Sequence, residues 1–238
     1  MKIHAKKIIL VTALILLFAS NSFGQIHFEA NAGFLIGLPR GEFGDNVEQT
    51  GLGFGLTAGY KLPMTPLTVG LDFGYILYGR EKRHAPFSYT IPDLTVEVTN
   101  KNNIVLGHLL FRLQPNLGSF MPYFDSLIGL KYLFTDTAVK GEKNFEEIAS
   151  SNNLSDVAFS YGIGGGMKFK LWEPGIDTLK DVKLFGVYLD LQVRYLFGSE
   201  AEYLKKGDIT VSGTEVLYNI NKSKTELLTM NIGISFMF

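Results

Sequence analysis

The chain closes on Leu228-Thr229-Met230-Asn231-Ile232-Gly233-Ile234-Ser235-Phe236-Met237-Phe238. Leu228, Met230, Ile232, Ile234, Phe236 and Phe238 form one face of this stretch. Thr229, Asn231, Gly233, Ser235 and Met237 form the other. A period of two places successive side chains on opposite sides of a strand. One side is wholly apolar and the other, Met237 apart, is small or polar. The stretch reads as a strand with two different surroundings.

The same pattern recurs upstream. Phe185 to Phe197 sets Val187, Leu189, Leu191, Val193 and Tyr195 against Asp190, Gln192 and Arg194. Val157 to Leu171 opposes Phe159, Tyr161, Ile163, Met167 and Phe169 to Ser160, Gly162, Gly164, Gly166, Lys168 and Lys170. Tyr123 to Phe134 opposes Phe124, Ile128, Leu130 and Tyr132 to Asp125, Gly129 and Lys131. Asn103 to Gln114 is weaker, with His108 and Arg112 on the polar face. Leu67 to Gly79 sets Leu71, Phe73, Tyr75 and Leu77 against Asp72 and its small neighbours. Gly51 to Leu62 and Ile26 to Leu38 complete the series, with Lys61 and Glu29 on their polar faces. The sum is eight strands of about twelve residues, an even number.

Short links near Pro63–Pro66, Asn116–Met121 and Trp172–Lys183 alternate with long ones at 39–50, 80–102, 136–156 and 198–226. Short turns on one side and long loops on the other are the arrangement of an outer-membrane barrel with both termini in the periplasm. The expected fold class is therefore all-β: an eight-stranded antiparallel up-and-down transmembrane β-barrel. A soluble barrel of lipocalin type shares the alternation. Three features favour the membrane form: a polar face that mixes glycines with both charge signs, the terminal aromatic Phe238, and aromatics at several strand ends.

The amino end fits export. Lys2, Lys6 and Lys7 precede an apolar run from Ile8 to Ala19, which is followed by small and polar residues. That is the pattern of a cleaved secretory signal peptide, and it is too short for a membrane-spanning helix. The expected organisation is a signal peptide over residues 1–24 and a barrel domain over 25–238, directed to the outer membrane. Composition narrows the function classes. Of 238 residues 46% are hydrophobic and 19% charged, the net charge is −1, and cysteine is absent. Disorder, a basic nucleic-acid surface, thiolate metal sites and a cysteine nucleophile are all excluded.

With these pieces in place the chain resembles the Bacteroidota-type outer-membrane β-barrel proteins, an eight-stranded, porin-like superfamily. The resemblance rests on the signal segment, the eight strands, Leu38-Pro39-Arg40-Gly41-Glu42-Phe43, and Ser223-Lys224-Thr225-Glu226 continuing to Phe238. It implies outer-membrane lipid as surroundings. It also implies that the last strand is the recognition signal for the barrel-assembly machinery, with Gly233, Phe236 and Phe238 in that part. Members connected with type IX secretion and members with small-ligand roles exist, and no residue here selects between them.

The polar faces collect Glu29, Lys61, Asp72, His108, Arg112, Asp125, Lys131, Lys168, Lys170, Asp190 and Arg194. Eight strands enclose a lumen just wide enough for side chains or one small ligand. Mixed signs there read as a paired network that blocks flow, with a narrow conduit or binding site for small or hydrophobic solutes as the alternative. The core of that network is expected to be Glu29, Asp72, His108, Arg112, Asp125, Lys131, Asp190 and Arg194. A deacylase-type barrel needs a His/Ser pair with a carboxylate, and no serine lies two residues from His27, His84 or His108. Gly162-Ile163-Gly164-Gly165-Gly166 sits inside a strand with no helix after it, which does not suit phosphate binding. It suits a crowded lumen or a strand bend. Glu142, Glu146, Glu147 and Asp156 lack the spacing of a calcium loop. No catalytic set, cofactor or metal is expected. Alternation around Ser212-Gly213-Thr214 predicts a hairpin in the longest loop, and Leu94, Val96 and Val98 alternate in the second. Structured loops favour contact with a protein partner.

Overall fold

The computed structural model describes residues 28–63, 65–88, 91–115, 119–141, 147–173, 186–212 and 215–238. The segment expected to be a signal peptide, together with His27 and Phe185, lies outside the described residues. In chain order the elements are β1 (Phe28–Pro39), α1 (Gly41–Asn46), β2 (Gly51–Lys61), β3 (Leu67–Ser88), β4 (Ile91–Leu113), β5 (Phe120–Gly141), β6 (Glu147–Trp172) and β7 (Gly186–Gly198). Four short strands follow, β8 (Glu200–Tyr203), β9 (Ile209–Ser212), β10 (Glu215–Tyr218) and β11 (Asn221–Lys224), before β12 (Leu227–Met237).

β1, β2, β3, β4, β5, β6, β7 and β12 form one closed antiparallel ring, in which β1 to β7 pair in chain order and β12 pairs with β7. β12 returns to β1, from Pro39 opposite Leu227 to Glu29 opposite Met237. Beyond that pair, Phe28 and Phe238 exchange amide–carbonyl bonds of 3.0 and 2.8 Å. Closure leaves no open edge within the ring, which in hydrocarbon would strand unpaired peptide groups. The polarity of the ring is inverted relative to a soluble protein. Phe34 is 68% exposed and Leu71 63%, whereas Arg112 is 1% exposed and Asp125 and Lys168 are fully buried.

Close approach between paired strands demands glycine at some inward positions. A Cβ on Gly33 would lie 2.6 Å from the Cα of Gly233 on the facing strand. One on Gly164 would lie 2.6 Å from Cγ of Arg194. The glycine run of β6 therefore makes room for a large neighbouring side chain.

The ring has a short side and a tall side. β1, β2, β7 and β12 have 12, 11, 13 and 11 residues. β3 to β6 have 22, 23, 22 and 26. The loops expected at 80–102 and 136–156 are instead strand: pairing continues from β3 to β4 as far as Ser88–Ile91, and from β5 to β6 as far as Lys140–Glu147. The reason is that polar cross-strand pairs replace an apolar face there. Thr135 donates to Asn102 (2.9 Å), Thr137 to Asn100 (2.7 Å), and Lys82 meets Glu97 at 2.8 Å. Register shifts at Leu77/Gly79 and Thr135/Asp136 mark where this four-stranded blade leaves the ring.

The short side is roofed. The link at 39–50 holds α1, which begins at Gly41 in the left-handed region (φ 54°) and buries Phe43 completely. Phe43 meets Tyr78 and Tyr203 edge-on at 5.7 and 4.9 Å. Tyr78 donates to the Leu204 carbonyl at 2.9 Å, and Asn46 to the Tyr203 hydroxyl at 2.9 Å. In the longest loop β8 pairs with β11, and β9 pairs with β10 from Ser212–Glu215 to Ile209–Tyr218.

Candidate functional site

The lumen holds a connected set of buried charges near the end where Phe28 and Phe238 pair. Glu29 from β1 accepts from Arg112 Nη1 (2.7 Å) and Lys168 Nζ (2.6 Å). Arg112 also forks onto Asp125 with bonds of 2.7 and 3.0 Å. Asp125 takes a second fork from Arg194 (3.0 and 2.8 Å), whose remaining nitrogen reaches Asp72 at 2.7 Å. Among the described residues no cation pairs with Asp190 within 4 Å. It accepts from the Tyr123 hydroxyl (2.5 Å) and from Asn31 (3.2 Å), and the Arg112 guanidinium stacks 3.8 Å above the Tyr123 ring. Paired forks suit carboxylates geometrically, and without such pairing the desolvation of these groups would be prohibitive.

Lys131 lies apart from the acids. Its ammonium donates to three backbone carbonyls, those of Leu196 (3.0 Å), Phe197 (3.4 Å) and Thr225. It therefore ties the end of β7 to the start of β12. Lys61 and Lys170 stand outside this set. Lys61 is half-buried at the last position of β2, and Lys170 pairs with Glu173 at 3.2 Å near the rim. The sequence pattern does not single out Gln114, which bonds Lys168 (2.9 Å), or Gln192, which reaches Tyr123 (3.1 Å) and Asp125 (3.3 Å).

Local sequence spacing also fails to predict a histidine–serine contact. His108 Nε2 lies 2.9 Å from Ser160 Oγ, two strands away, and Nδ1 lies 3.9 Å from Asp72. A nucleophilic triad needs the serine proton directed at the ring and the other ring nitrogen bonded to the acid. Here the Ser160 hydroxyl donates to the Phe197 carbonyl at 3.2 Å, and Nδ1 has no hydrogen-bond partner among the described residues. Ser160 is also fully buried. The group is a packing link between strands and does not have the arrangement of an acyl-transfer centre.

An apolar layer closes the loop end of the lumen. Leu35, Ile76, Ile104, Leu106, Leu133 and Leu196 are buried there in one cluster with Phe43 and Tyr203. Above it the blade and the loop strands are exposed in part. Val96 and Val98 turn inward and are buried; Val216, Leu217, Tyr218 and Ile220 are about half exposed. On the blade the Lys82 hydrogen bond holds the Glu97 carboxyl below its ordinary range. Among the described residues no His/Asp/Glu cluster could hold a metal ion, and no helix is long and apolar enough to cross a membrane. Glu142 and Glu146 lie outside the described residues.

No family model matches the chain, and no curated protein matches it. Among solved structures it is similar to Ail, the attachment invasion locus protein of Yersinia pestis, at 13% identity and a TM-score of 0.43, over 90% of this chain and all of that one. A major outer membrane protein of Thermus thermophilus aligns at 12% identity and TM-score 0.43, over 90% and 100% of the two chains. Neisserial surface protein A aligns at 10% identity and TM-score 0.37, over 90% and 96%.

Proposed function

We propose that this chain is an integral outer-membrane protein, non-enzymatic and non-conducting, that anchors a structured surface for contact with a partner outside the cell. The exposed apolar belt supports the membrane setting, since such a surface is stable only against lipid. The termini and short turns then face the periplasm, and the blade and roof face outward. The observation that carries the function is the sealed lumen. Buried ion pairs fill its inner part, and the Phe43 roof caps the other end. Planar-bilayer recordings of the purified protein should show no unitary steps above the bare membrane. Regular steps would establish a conduit and overturn this reading.

Biogenesis belongs to the same proposal. A signal peptide over 1–24 directs export, and Gly233, Phe236 and Phe238 present the last strand to the barrel-assembly machinery, in the manner of a Bacteroidota-type barrel. Deletion of Phe236–Phe238 removes the pairing of Ala30 with Phe236 and of Phe28 with Phe238. The shortened chain should be exported yet absent from outer-membrane fractions. Normal outer-membrane levels of it, with the heat-modifiable gel shift of the parent, would exclude that role.

A further inference from the structure

We infer that the outward face of β3–β6 is a seat for a single glycolipid of the outer leaflet, with its sugar head on the blade and an acyl chain on the belt below. The inference rests on the membrane reading above. Two grooves lie one above the other along these same four strands.

The lower groove, of about 610 Å³, is apolar. Leu71, Phe73, Leu109, Ile128, Leu130 and Phe159 wall it. Its floor is Gly107, an outward position where a Cβ would meet nothing within 4 Å. Every other outward position of β4 in the belt carries a bulky side chain: Val105, Leu109, Phe111 and Leu113. The missing side chain opens a notch one chain wide between Phe73 and Leu130, the residues facing Gly107 across β3 and β5.

The upper groove, of about 380 Å³, is polar. Tyr75, Thr99, Lys101, Asn103, Asp136 and Asn152 line it. Tyr75 follows Phe73 on the outward face of β3, so the two grooves adjoin there. Along β4, Asn103 stands four residues beyond Gly107, about 14 Å at roughly 3.4 Å per residue. Its donors and acceptors are held in place: Tyr75 donates to Asn103 Oδ1 at 2.7 Å, and Asn103 Nδ2 reaches the Lys101 carbonyl at 3.2 Å and Asp136 at 3.5 Å.

The chemistry of the head follows from the mixed signs. A bare phosphate would suit Lys101 and be repelled by Asp136. A ring of hydroxyls both donates to a carboxylate and accepts from an ammonium or amide. A cation and a carboxylate among amides and hydroxyls therefore favour a sugar, and one that carries a phosphate can still place it at Lys101. An apolar notch directly beneath a sugar-binding groove fits one amphiphile spanning both.

The test uses the full-length protein in an amine-oxide detergent, which carries no sugar, with purified lipid A as the probe and native mass spectrometry as the readout. The parent should retain one lipid A through desalting. Dodecyl maltoside should displace it, and phosphatidylglycerol at equal concentration should not. Gly107→Leu fills the notch from an open position, and Lys101→Ala with Asp136→Ala strips the head groove; each should lower retention about tenfold. The heat-modifiable gel shift of each variant reports an intact barrel. Equal displacement by phosphatidylglycerol would show an ordinary lipid annulus and overturn the seat. So would retention unchanged in both variants, while the gel shift and outer-membrane fractionation left the membrane reading standing.

Discussion

The two sides of the ring solve opposite problems with the same eight strands. On the short side β1, β2, β7 and β12 stop at 11–13 residues, about what a tilted strand needs to cross a bilayer, and the chain turns inward. α1 and the loop strands fold over the mouth, and Phe43 is buried beneath them. On the tall side β3–β6 run on past the register shifts at Leu77/Gly79 and Thr135/Asp136 and stand as a sheet. The short side spends its loops on closing the lumen. The tall side needs no roof of its own and is left free to present two faces. Sealing and display therefore fall to different strands, which meet where Tyr78 and Asp156 of the tall side bond the roof at Leu204 and Glu202.

That separation can be broken deliberately. The largest effect is expected inside the ring. Asp125→Ala leaves two guanidinium groups, Arg112 and Arg194, short of their shared carboxylate, and removing one partner of a buried pair costs about 3–5 kcal/mol. Urea unfolding in liposomes should show that loss, and an unchanged midpoint would mean that the network relaxes around other partners. Next comes the belt. Leu191→Arg, on the outward face of β7, should cost about 2–4 kcal/mol in the same assay. Full tolerance of arginine there would place that face away from lipid. Phe43→Ala should act locally: faster protease cleavage within 198–226 and no shift of the global unfolding midpoint. Lys82→Ala, on the blade, is the smallest. Its partner Glu97 is solvated, so unfolding should not change measurably, and a clear loss would tie the blade to the stability of the ring.

The faces of the ring were legible because alternation is a local property of the chain. Each strand carries its own inside–outside record, and the weakest, at 103–114, was weak for a definite reason. Leu106 and Leu110 point into the apolar layer while Leu109 and Phe111 point out, so both faces of β4 read as apolar. The blade was not legible because Asn100, Asn102, Thr135 and Thr137 resemble loop residues until they are paired across strands. The contact of His108 with Ser160 was hidden by sequence distance, since 52 residues separate the two and the ring alone brings them together. α1 was missed because six residues give too short a window for helical periodicity.

The pairing of β1 with β12 has a consequence in time. The seams from β1 through β7 join strands that follow one another, so each can zip as a hairpin as soon as its two strands exist, and β7 meets β12 after the loop strands β8–β11. The seam between Gly33 and Gly233 cannot, because it waits for the far end of the chain to arrive. Contacts of such long sequence separation are the slowest to form. Until then β1 and β7 each carry a bare edge, which is an invitation to aggregate. The closing seam also requires a tight backbone approach, since neither Gly33 nor Gly233 tolerates a Cβ. Assembly of this protein should therefore have a late, concerted closing step, and the most vulnerable species on its pathway is a curled but unclosed sheet.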